Sequence, residues 1–448
     1  MPLNNNDITE GSISRGIMKL AVPTMAGFIL QNVFNIVDMY FVGKLGAAQL
    51  AAVSVSGIFI GLIYTFALGI STGTVAIVAR LQGEGDMESA AKSGKQSVFL
   101  GFFIYVFLLI FGNIIIGPIL HLLGVESDIF PMAVQYARII LSGSFVVFIP
   151  MALNAYLRGS GDTVTPMRVM IIAAVLNVIF DPILIFGLLG FPKLGVAGSA
   201  IATVLARFCG MLYIIYHVSF KAKDLRLKLL PIKIDFREMW RILKIGIFGS
   251  AQSALRNMSE IVMMKLVVNF GTAAIASYGI GLRLRMAILL PILGMGVAAS
   301  TMVGQNLGAK KPGRAEKAGW VTAGFSLVVM TVSAVLFFIF AENIVSMFNK
   351  DPAVIRDGVL FIRYFSPTFL FIGLSISMEK ALNGAGDTIS PMIITLIGLY
   401  VVRIPIVIYL MNHFGMEGIW MGIAISSIIG GLIFCGWFRV GRWKLKKI

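Results

Sequence analysis

The sequence contains little charge, few cysteines and few histidines. Only 13% of its 448 residues are charged, whereas about a quarter of the residues of an ordinary soluble domain carry a charge. A chain of this composition cannot cover its surface with polar groups in water, which excludes a soluble globular protein. The two cysteines and three histidines are too few for a disulfide framework or a zinc site.

Apolar residues fill the sequence instead. They make up 58% of the chain, and the mean hydropathy is +0.91. Many apolar stretches reach the roughly 20 residues that cross a bilayer core as a helix, and the alternating pattern of about 10 residues that barrel strands require is missing. Only one extended polar segment occurs, at about 218–241. We therefore predict an all-α integral membrane protein without a separate soluble domain.

The apolar stretches predict twelve transmembrane helices. The predicted ranges are 15–42, 50–79, 95–120, 130–157, 167–187 and 195–217 in the first half, and 240–268, 275–304, 318–344, 355–382, 390–411 and 417–438 in the second. Prolines inside these ranges, such as Pro23, Pro150 and Pro182, predict kinks, which neighbouring helices make tolerable in a membrane.

The second half of the chain repeats the first at a spacing of 225 residues. Segment 159–167 matches segment 384–392 at both glycines and at the aspartate, threonine, proline and methionine, and the same spacing pairs Asn32 with Asn257 and Gly83 with Gly308. The matched segments predict tight turns into a helix with proline in its first turn. The duplication predicts two six-helix lobes.

Six helices is an even number, so both lobes enter and leave the membrane on the same side. We therefore expect a pseudo-two-fold axis along the membrane normal and a cleft between the lobes, as in transporters that work by alternating access. The predicted domains are an N-terminal lobe at 1–217, a cytoplasmic connector at 218–239, and a C-terminal lobe with a basic tail at 240–448.

The distribution of basic residues predicts the orientation. If both termini are cytoplasmic, most lysines and arginines fall in cytoplasmic segments. The external segments then hold only Lys44, Lys193, Lys350 and Arg356. This asymmetry explains the net charge of +16 without nucleic acid, and it makes anionic membrane lipids the expected partner of the basic segments.

The first helix carries a polar stripe in an otherwise apolar sequence. Gln31, Asn35 and Asp38 recur at i, i+4 and i+7, so they share one face of the helix. The residues 225 positions later are Arg256, Glu260 and Met263. The stripe therefore persists in the second lobe with different chemistry.

The fifth and sixth helices add polar groups at a similar depth. Asn177 and Asp181 lie one turn apart before Pro182, and Thr203 lies in the first half of the sixth helix. At about 1.5 Å per helical residue, Asp38, Asn177 and Asp181 lie roughly 6–15 Å below the external surface. Three helices thus bring two carboxylates, an amide and a hydroxyl to one layer.

Carboxylates inside a membrane are costly as free ions, so they are neutralised, paired or functional. The Asp38 and Asp181 pair is suited to hold a proton, and the oxygen ligands suit Na⁺ equally well. The structural alternative is a hydrogen-bond network that fixes helix packing. We favour the ion site because asparagine and threonine would lock the helices without two acids.

Glu260 leaves two interpretations open. Arg256 lies one turn away, so the two side chains form either a structural ion pair or part of a second ion or substrate site. Glu379, beside Lys380 near the predicted cytoplasmic end of its helix, suggests an interfacial position.

Three motifs resemble the prokaryotic branch of the multidrug and toxic compound extrusion (MATE) family over nearly the full chain. They are Val37-Asp38 with the following Phe-Val-Gly-x-Leu-Gly, Leu157-Arg158-Gly159-x-Gly161-Asp162, and Asn177-x-x-x-Asp181-Pro182. The resemblance implies a cation-coupled antiporter, driven by H⁺ or Na⁺, that exports small organic, often cationic and aromatic, compounds. It implies no enzymatic activity and no cofactor other than the coupling ion.

The resemblance also assigns roles to residues. It implies a cation site in the N-terminal lobe at Asp38, Asn177, Asp181 and Thr203. It implies that Tyr136 and Asn154 lie close by, that Pro23 takes part in helix bending, and that Glu260 matches the helix 7 acid of members with a C-lobe sodium site. Because no aspartate occurs in helix 10, where those members keep a second acid, we expect coupling in the N-terminal lobe.

Other classes of membrane protein fit the sequence less well. A lipid-linked oligosaccharide flippase of the same broad superfamily would share the architecture, but it would be expected to have a wide cationic cavity and often extra helices. A membrane enzyme would need clustered histidine, cysteine or acidic residues, and a channel would need a repeated filter. We expect a monomer in the plasma membrane that binds small molecules and lipids but no nucleic acid.

Overall fold

The structure is a computed structural model that describes residues 5–221, 225–227 and 233–448. All structural statements refer to these residues. Segments 222–224 and 228–232 of the predicted connector lie outside them.

The first half is a series of helices joined by short turns. They are α1 Asn5–Thr9, α2 Ile13–Gly43, α3 Ala47–Glu84, α4 Met87–Leu122, α5 Phe130–Ser142, α6 Phe145–Gly159, α7 Val164–Phe186 and α8 Val196–Tyr216. A π-helical turn, His217–Lys221, extends α8. α5 and α6 are bent by 42° at a short break, so together they form one predicted span.

The second half has the same arrangement with more interruptions. Its helices are α9 Phe236–Val268, α10 Thr272–Gly308, α11 Pro312–Ile339, α12 Ala341–Ser346, α13 Pro352–Phe365, α14 Phe369–Gly384, α15 Ile389–Leu396 and α16 Ile404–Val440. A 3₁₀ turn, Ser366–Thr368, joins α13 to α14, and a π-helix, Ile397–Arg403, joins α15 to α16.

These helices confirm the predicted all-α membrane fold. Nine helices among the described residues are long and apolar enough to cross a membrane, and the bent pair α5 and α6 makes a tenth. The span Ile389–Val440 contains two predicted spans, because Gly415 has non-helical backbone angles in its middle. α9 supplies the remaining predicted span, and its charged residues explain why hydropathy alone does not select it.

The duplicated turns have the same backbone conformation in both halves. Gly161 has φ +91° and Gly386 has φ +82°, a region that side chains with a Cβ disfavour. The carboxylate of Asp162 then accepts hydrogen bonds from the backbone N–H groups of Val164 and Thr165 at 3.0 Å each. The glycine and the aspartate of each repeated motif therefore turn the chain and cap the next helix.

Contacts between residues divide the chain into two compact units. Unit 1 contains Ala26–Ile247, and unit 2 contains Phe248–Ile448 together with the described residues up to Met25. The division falls inside α2, two residues after Pro23, and inside α9. The first turns of α2 thus belong to the second unit. The predicted lobe boundaries, at 217 and 240, placed the whole of this helix in the N-terminal lobe.

Each unit has its own apolar core. In unit 1, Phe34 packs with small alanines of α7 and α8, including Ala173 and Ala206. In unit 2, Tyr278 and Trp420 stack with ring centroids 5.7 Å apart among aliphatic residues of α9, α10 and α16. These cores fix the helices that carry the buried polar side chains of each unit.

Candidate functional site

Asp38 is a buried carboxylate of unit 1. Its side chain in α2 is 8% exposed, and the Ser199 hydroxyl of α8 donates to its Oδ1 at 2.5 Å. α8 approaches α7 closely beside this serine, because a Cβ at Gly198 would lie 2.4 Å from the carbonyl oxygen of Leu184. The sequence thus places a hydroxyl on a helix that glycine allows to pack tightly.

Asn177 and Asp181 lie one turn apart on α7 and are fully buried. The Asn177 amide Nδ2 donates to Asp181 Oδ1 at 3.0 Å, as their i, i+4 spacing predicts. Asp38 acts electrostatically on Asp181. The structure therefore brings three of the four residues of the predicted cation site, Asp38, Asn177 and Asp181, into one region of unit 1.

Four buried oxygens around this region have no hydrogen-bond partner among the described residues. They are Asp181 Oδ2, Asn177 Oδ1, Thr203 Oγ1 and Asn154 Oδ1. Buried polar groups are normally paired, so Asp181 Oδ2 can accept a proton or ligate a cation, and the neutral oxygens of Asn177 and Thr203 can ligate a cation; Asn154 is placed near the site by the family resemblance. No group of three or more His, Cys, Asp or Glu side chains in the described chain is arranged to hold a metal. A metal here would therefore rely on amide and hydroxyl oxygens beside the two carboxylates, and an all-oxygen set of this kind suits a hard cation better than a soft transition metal.

Tyr136 of α5 lies beside this region. Its side chain is 2% exposed, and its hydroxyl interacts with Ser199 and with the charges of Asp38 and Asp181. This position agrees with the neighbourhood that the family resemblance implies for Tyr136. Asn154 of α6 is half-buried with its Oδ1 enclosed.

Two contributors to this region are missing from the sequence prediction: Ser199 and Arg207. The Arg207 guanidinium donates to the Tyr64 hydroxyl at 2.6 Å, lies 5.1 Å from the Phe34 ring centroid and acts electrostatically on Asp38. Ser199, Thr203 and Arg207 recur every four residues, so one face of α8 carries all three. That spacing was visible in the sequence.

The other predicted residues of α2 are more exposed. Gln31 Nε2 donates to Asn35 Oδ1 at 3.3 Å, which continues the predicted stripe, while Asp38 is turned into unit 1. Pro23 lies inside an unbroken α-helix that begins ten residues before it at Ile13.

In unit 2, Glu260 is paired, but not with Arg256. Arg285 Nη1 donates to Glu260 Oε1 at 2.7 Å, and the Tyr278 hydroxyl donates to Oε2 at 2.9 Å. Of the two interpretations that the sequence left open, the structural pair of Glu260 with Arg256 is not formed. Arg285, 25 residues away on α10, reaches the carboxylate because α9 and α10 pack together at Met263 and Tyr278.

Arg256 instead pairs with Glu379 of α14, which Lys380 also contacts at 3.3 Å. Glu379 is only 2% exposed. Glu379 is therefore buried within unit 2, where two cations compensate its charge, and its predicted interfacial depth in the membrane stays a prediction. Arg403 is likewise buried, with Nε donating to Ser426 at 3.0 Å.

Basic groups outnumber acidic ones in this part of unit 2. Two carboxylates face four cations among the described residues: Glu260 and Glu379 against Arg256, Arg285, Lys380 and Arg403. Arg256 is 41% exposed and Lys380 is 32% exposed. Charged groups within a span avoid lipid, so the exposed part of Arg256, in the middle of its predicted span, is expected to face water.

The family model MatE matches residues 23–183 and 250–409, once in each half of the chain. The chain belongs to the MatE family. This is the transporter family that its motifs resemble, and the double match agrees with the internal repeat. The flippase alternative gains no support from this match.

Relatives of this MatE chain span its whole length. It is 28% identical over 444 residues to the probable multidrug resistance protein NorM of Thermotoga maritima, covering 97% of this chain and 94% of that protein. It is 27% identical to the probable multidrug resistance protein YoeA of Bacillus subtilis, with 100% and 98% covered. It is 26% identical to the FAD transporter of Shewanella oneidensis, with 96% and 95% covered.

Solved structures share the fold. An outward-facing MATE transporter of the MOP superfamily superposes with a TM-score of 0.91 at 23% identity, covering 98% of each chain. A MOP superfamily transporter of Pyrococcus furiosus, described as having a binding pocket of reverse polarity, gives 0.92 at 23% identity, covering 100% of each chain. These similarities establish the two-lobe, twelve-helix architecture of this MatE protein.

Proposed function

We propose that this MatE protein is a cation-coupled antiporter that exports small organic, often cationic, amphiphilic compounds by alternating access of its two lobes. The lobes are 1–217 and 240–448, joined by the connector at 218–239. The observation that carries the proposal is the buried pair Asp38 and Asp181 with its unpartnered oxygens. The two relatives named as probable multidrug resistance proteins support the substrate class.

The charges around the pair suit one monovalent cation. Asp38 and Asp181 contribute two negative charges, and Arg207 contributes one positive charge close to Asp38. One H⁺ or Na⁺ then makes the site neutral, which is the favourable state in a low-dielectric interior. Thr203 and Asn177 supply neutral oxygens that complete a Na⁺ shell or hydrogen-bond to a protonated acid.

Glu260 is a poorer coupling site in this proposal. Its carboxylate already has a strong partner in Arg285 at 2.7 Å and a second donor in Tyr278. A cation would have to compete with that ion pair. We therefore assign coupling to unit 1, and we assign substrate contact or support of the site to Gln31, Asn35, Tyr136 and Asn154.

The remaining parts of the proposal follow the family resemblance. Pro23 is proposed to bend α2 during the cycle, and Glu260 and Arg256 are proposed to contact substrate in unit 2. The chain is proposed to act as a monomer in the plasma membrane with both termini in the cytoplasm, as the distribution of basic residues indicates.

Transport in vesicles tests the proposal. The purified protein is reconstituted, and ethidium movement is followed by fluorescence with an imposed H⁺ gradient alone or a Na⁺ gradient alone. We expect one gradient to drive ethidium transport and Asp38→Asn to abolish it. Glu84→Gln, which removes an exposed acid outside the site, is the matched control. Undiminished gradient-driven transport by a folded Asp38→Asn variant would refute the coupling assignment.

The excess of cations in unit 2 favours a second candidate substrate class, organic compounds that carry an anionic group. The relative named as an FAD transporter is consistent with this class. Competition distinguishes the two candidates: an anionic flavin nucleotide that inhibits ethidium transport in the wild type but not in Arg256→Gln supports the anionic class. Equal inhibition of both proteins argues against it.

A further inference from the structure

A cleft of about 650 Å³ lies in unit 1, where α4 begins and the chain leads into α9. It is separate from the Asp38 region. Its lining includes Lys92, Lys95, Arg226, Lys233, Asp235 and Phe236. The proposed transport function uses none of these residues.

Hydrogen bonds from a buried side chain hold one wall of the cleft in place. Gln96 of α4 is 2% exposed; its Nε2 donates to the carbonyl oxygen of Lys233 at 2.7 Å, and its Oε1 accepts from the Asp235 backbone N–H at 3.0 Å. On the other wall, Arg226 Nε donates to the carbonyl oxygen of Ser219 at 2.9 Å. Gln96 thus holds the backbone at Lys233 and Asp235, and the contact with Ser219 holds the Arg226 side chain.

The lining has a net positive charge. Four of the residues named above are basic and one is acidic, and Lys92 Nζ lies 2.6 Å from Asp235 Oδ2. The hydrogen bond from Lys92 lowers the pKa of Asp235, so this carboxylate is ionised at neutral pH. Arg226 and Lys233 lie outside that ion pair, Lys95 adds positive charge to the lining, and basic side chains of this kind recognise a phosphate group.

Apolar side chains beside the basic residues indicate that the phosphate belongs to an amphiphilic molecule. Phe236 is 73% exposed, and Trp240, one turn further on the same face of α9, is 65% exposed. Exposed aromatic residues next to basic ones are typical of the interface between membrane and water. A soluble phosphate compound would leave these rings in water, whereas a phospholipid would cover them.

We propose that this cleft binds the phosphate of an anionic phospholipid. Arg226 and Lys233 contact the headgroup, and Phe236 and Trp240 lie against the acyl chains. The proposal stands on the cleft, its charge and its aromatic edge, and it does not depend on which ion or substrate the protein transports.

Lipid binding to the full-length protein tests the proposal. Dioleoyl phosphatidylglycerol and dioleoyl phosphatidylcholine are titrated separately into the detergent-solubilised protein, and bound lipid is counted by native mass spectrometry. We expect the wild type to prefer phosphatidylglycerol. The double variant Arg226→Gln/Lys233→Gln should bind it about tenfold more weakly, because each basic residue near an anionic surface contributes to binding.

Two further variants separate this site from general charge and from misfolding. Asp235→Asn keeps a side chain that caps α9 but removes the negative charge, so phosphatidylglycerol should bind several-fold more tightly. Lys317→Gln/Lys447→Gln removes two exposed charges outside the cleft and should leave binding unchanged.

Three results would overturn the proposal. They are equal phosphatidylglycerol affinity in Arg226→Gln/Lys233→Gln and wild type, equal binding of the two lipids to the wild type, and displacement of phosphatidylglycerol by an equal concentration of sn-glycerol 3-phosphate. The last result would assign the phosphate site to a soluble compound.

Discussion

Removing the Ser199 hydroxyl should change how strongly the coupling cation binds. In the structure this hydroxyl donates to Asp38 Oδ1 at 2.5 Å, a length typical of a hydroxyl bound to an ionised carboxylate. Such a bond contributes about 1.5–3 kcal/mol, and a bond between neutral groups contributes about 0.5–1.5 kcal/mol. The hydroxyl therefore stabilises the cation-free carboxylate more than the loaded one. The full difference applies if the coupling cation is H⁺, whereas a carboxylate that binds Na⁺ stays ionised and keeps part of the stronger bond, so the effect then has the same sign and is smaller.

The difference between these two hydrogen-bond energies sets the size of the expected change in cation affinity. About 1–1.5 kcal/mol separates the two bonds, and every 1.4 kcal/mol is a tenfold change in affinity. In Ser199→Ala the cation-free state loses that stabilisation, so the cation should bind five- to tenfold more tightly. Its release should slow, and the maximal transport rate should fall accordingly.

The assay is ethidium transport in vesicles, measured over a range of concentrations of the driving cation. Half-maximal transport in Ser199→Ala should require a five- to tenfold lower cation concentration. Ser56→Ala is the matched control, because Ser56 is equally buried in unit 1 but donates to backbone carbonyls. An unchanged cation dependence in an active Ser199→Ala protein would show that the Asp38 carboxylate does not bind the coupling cation.

Two further predictions concern ion pairs. Glu379→Gln should lower the free energy of unfolding by about 2 kcal/mol. This is less than the loss expected for a fully enclosed ion pair, because the partner Arg256 is 41% exposed. Thermal unfolding in detergent measures the change, and the control Glu84→Gln should change stability by less than about 1 kcal/mol. The hydrogen bond from Lys92 lowers the pKa of Asp235 below the ordinary aspartate value of 3.8. The Asp235 carboxylate should therefore stay ionised, and its contact with Lys92 intact, from neutral pH down to 3.8, and the contact should be lost as the pH falls through the lowered pKa. Pepsin cleavage near Asp235 should therefore begin only below that ordinary value, and cleavage at pH 5 would contradict the prediction.

The sequence predicted the parts of the structure that depend on local spacing. The twelve helices follow from apolar length, and the turns at Gly161 and Gly386 follow from a repeated motif. The contact of Asn177 with Asp181 follows from a spacing of four residues on one helix. In each case the partners are neighbours along the chain, so the pattern determines the geometry.

Contacts between distant helices could not be predicted in this way. Ser199 lies 161 residues from Asp38 and Glu379 lies 123 residues from Arg256, and the rotation of each helix about its axis decides whether they meet. For this reason the sequence could not decide whether Glu260 pairs with Arg256, and in the structure it does not. An i, i+4 neighbour was available, but Glu379 reached the arginine and Arg285 reached the glutamate.

Arg207 has a consequence for the response of the transporter to membrane voltage. If the loaded site is neutral because Arg207 balances one of the two carboxylates, then carrying the coupling ion across the membrane moves no net charge at the site. The empty site keeps one negative charge, and a full unit charge moved across the membrane changes the free energy by about 2.3 kcal/mol per 100 mV. On the proposed coupling mechanism, a single arginine on α8 therefore decides which half of the transport cycle depends on the membrane potential.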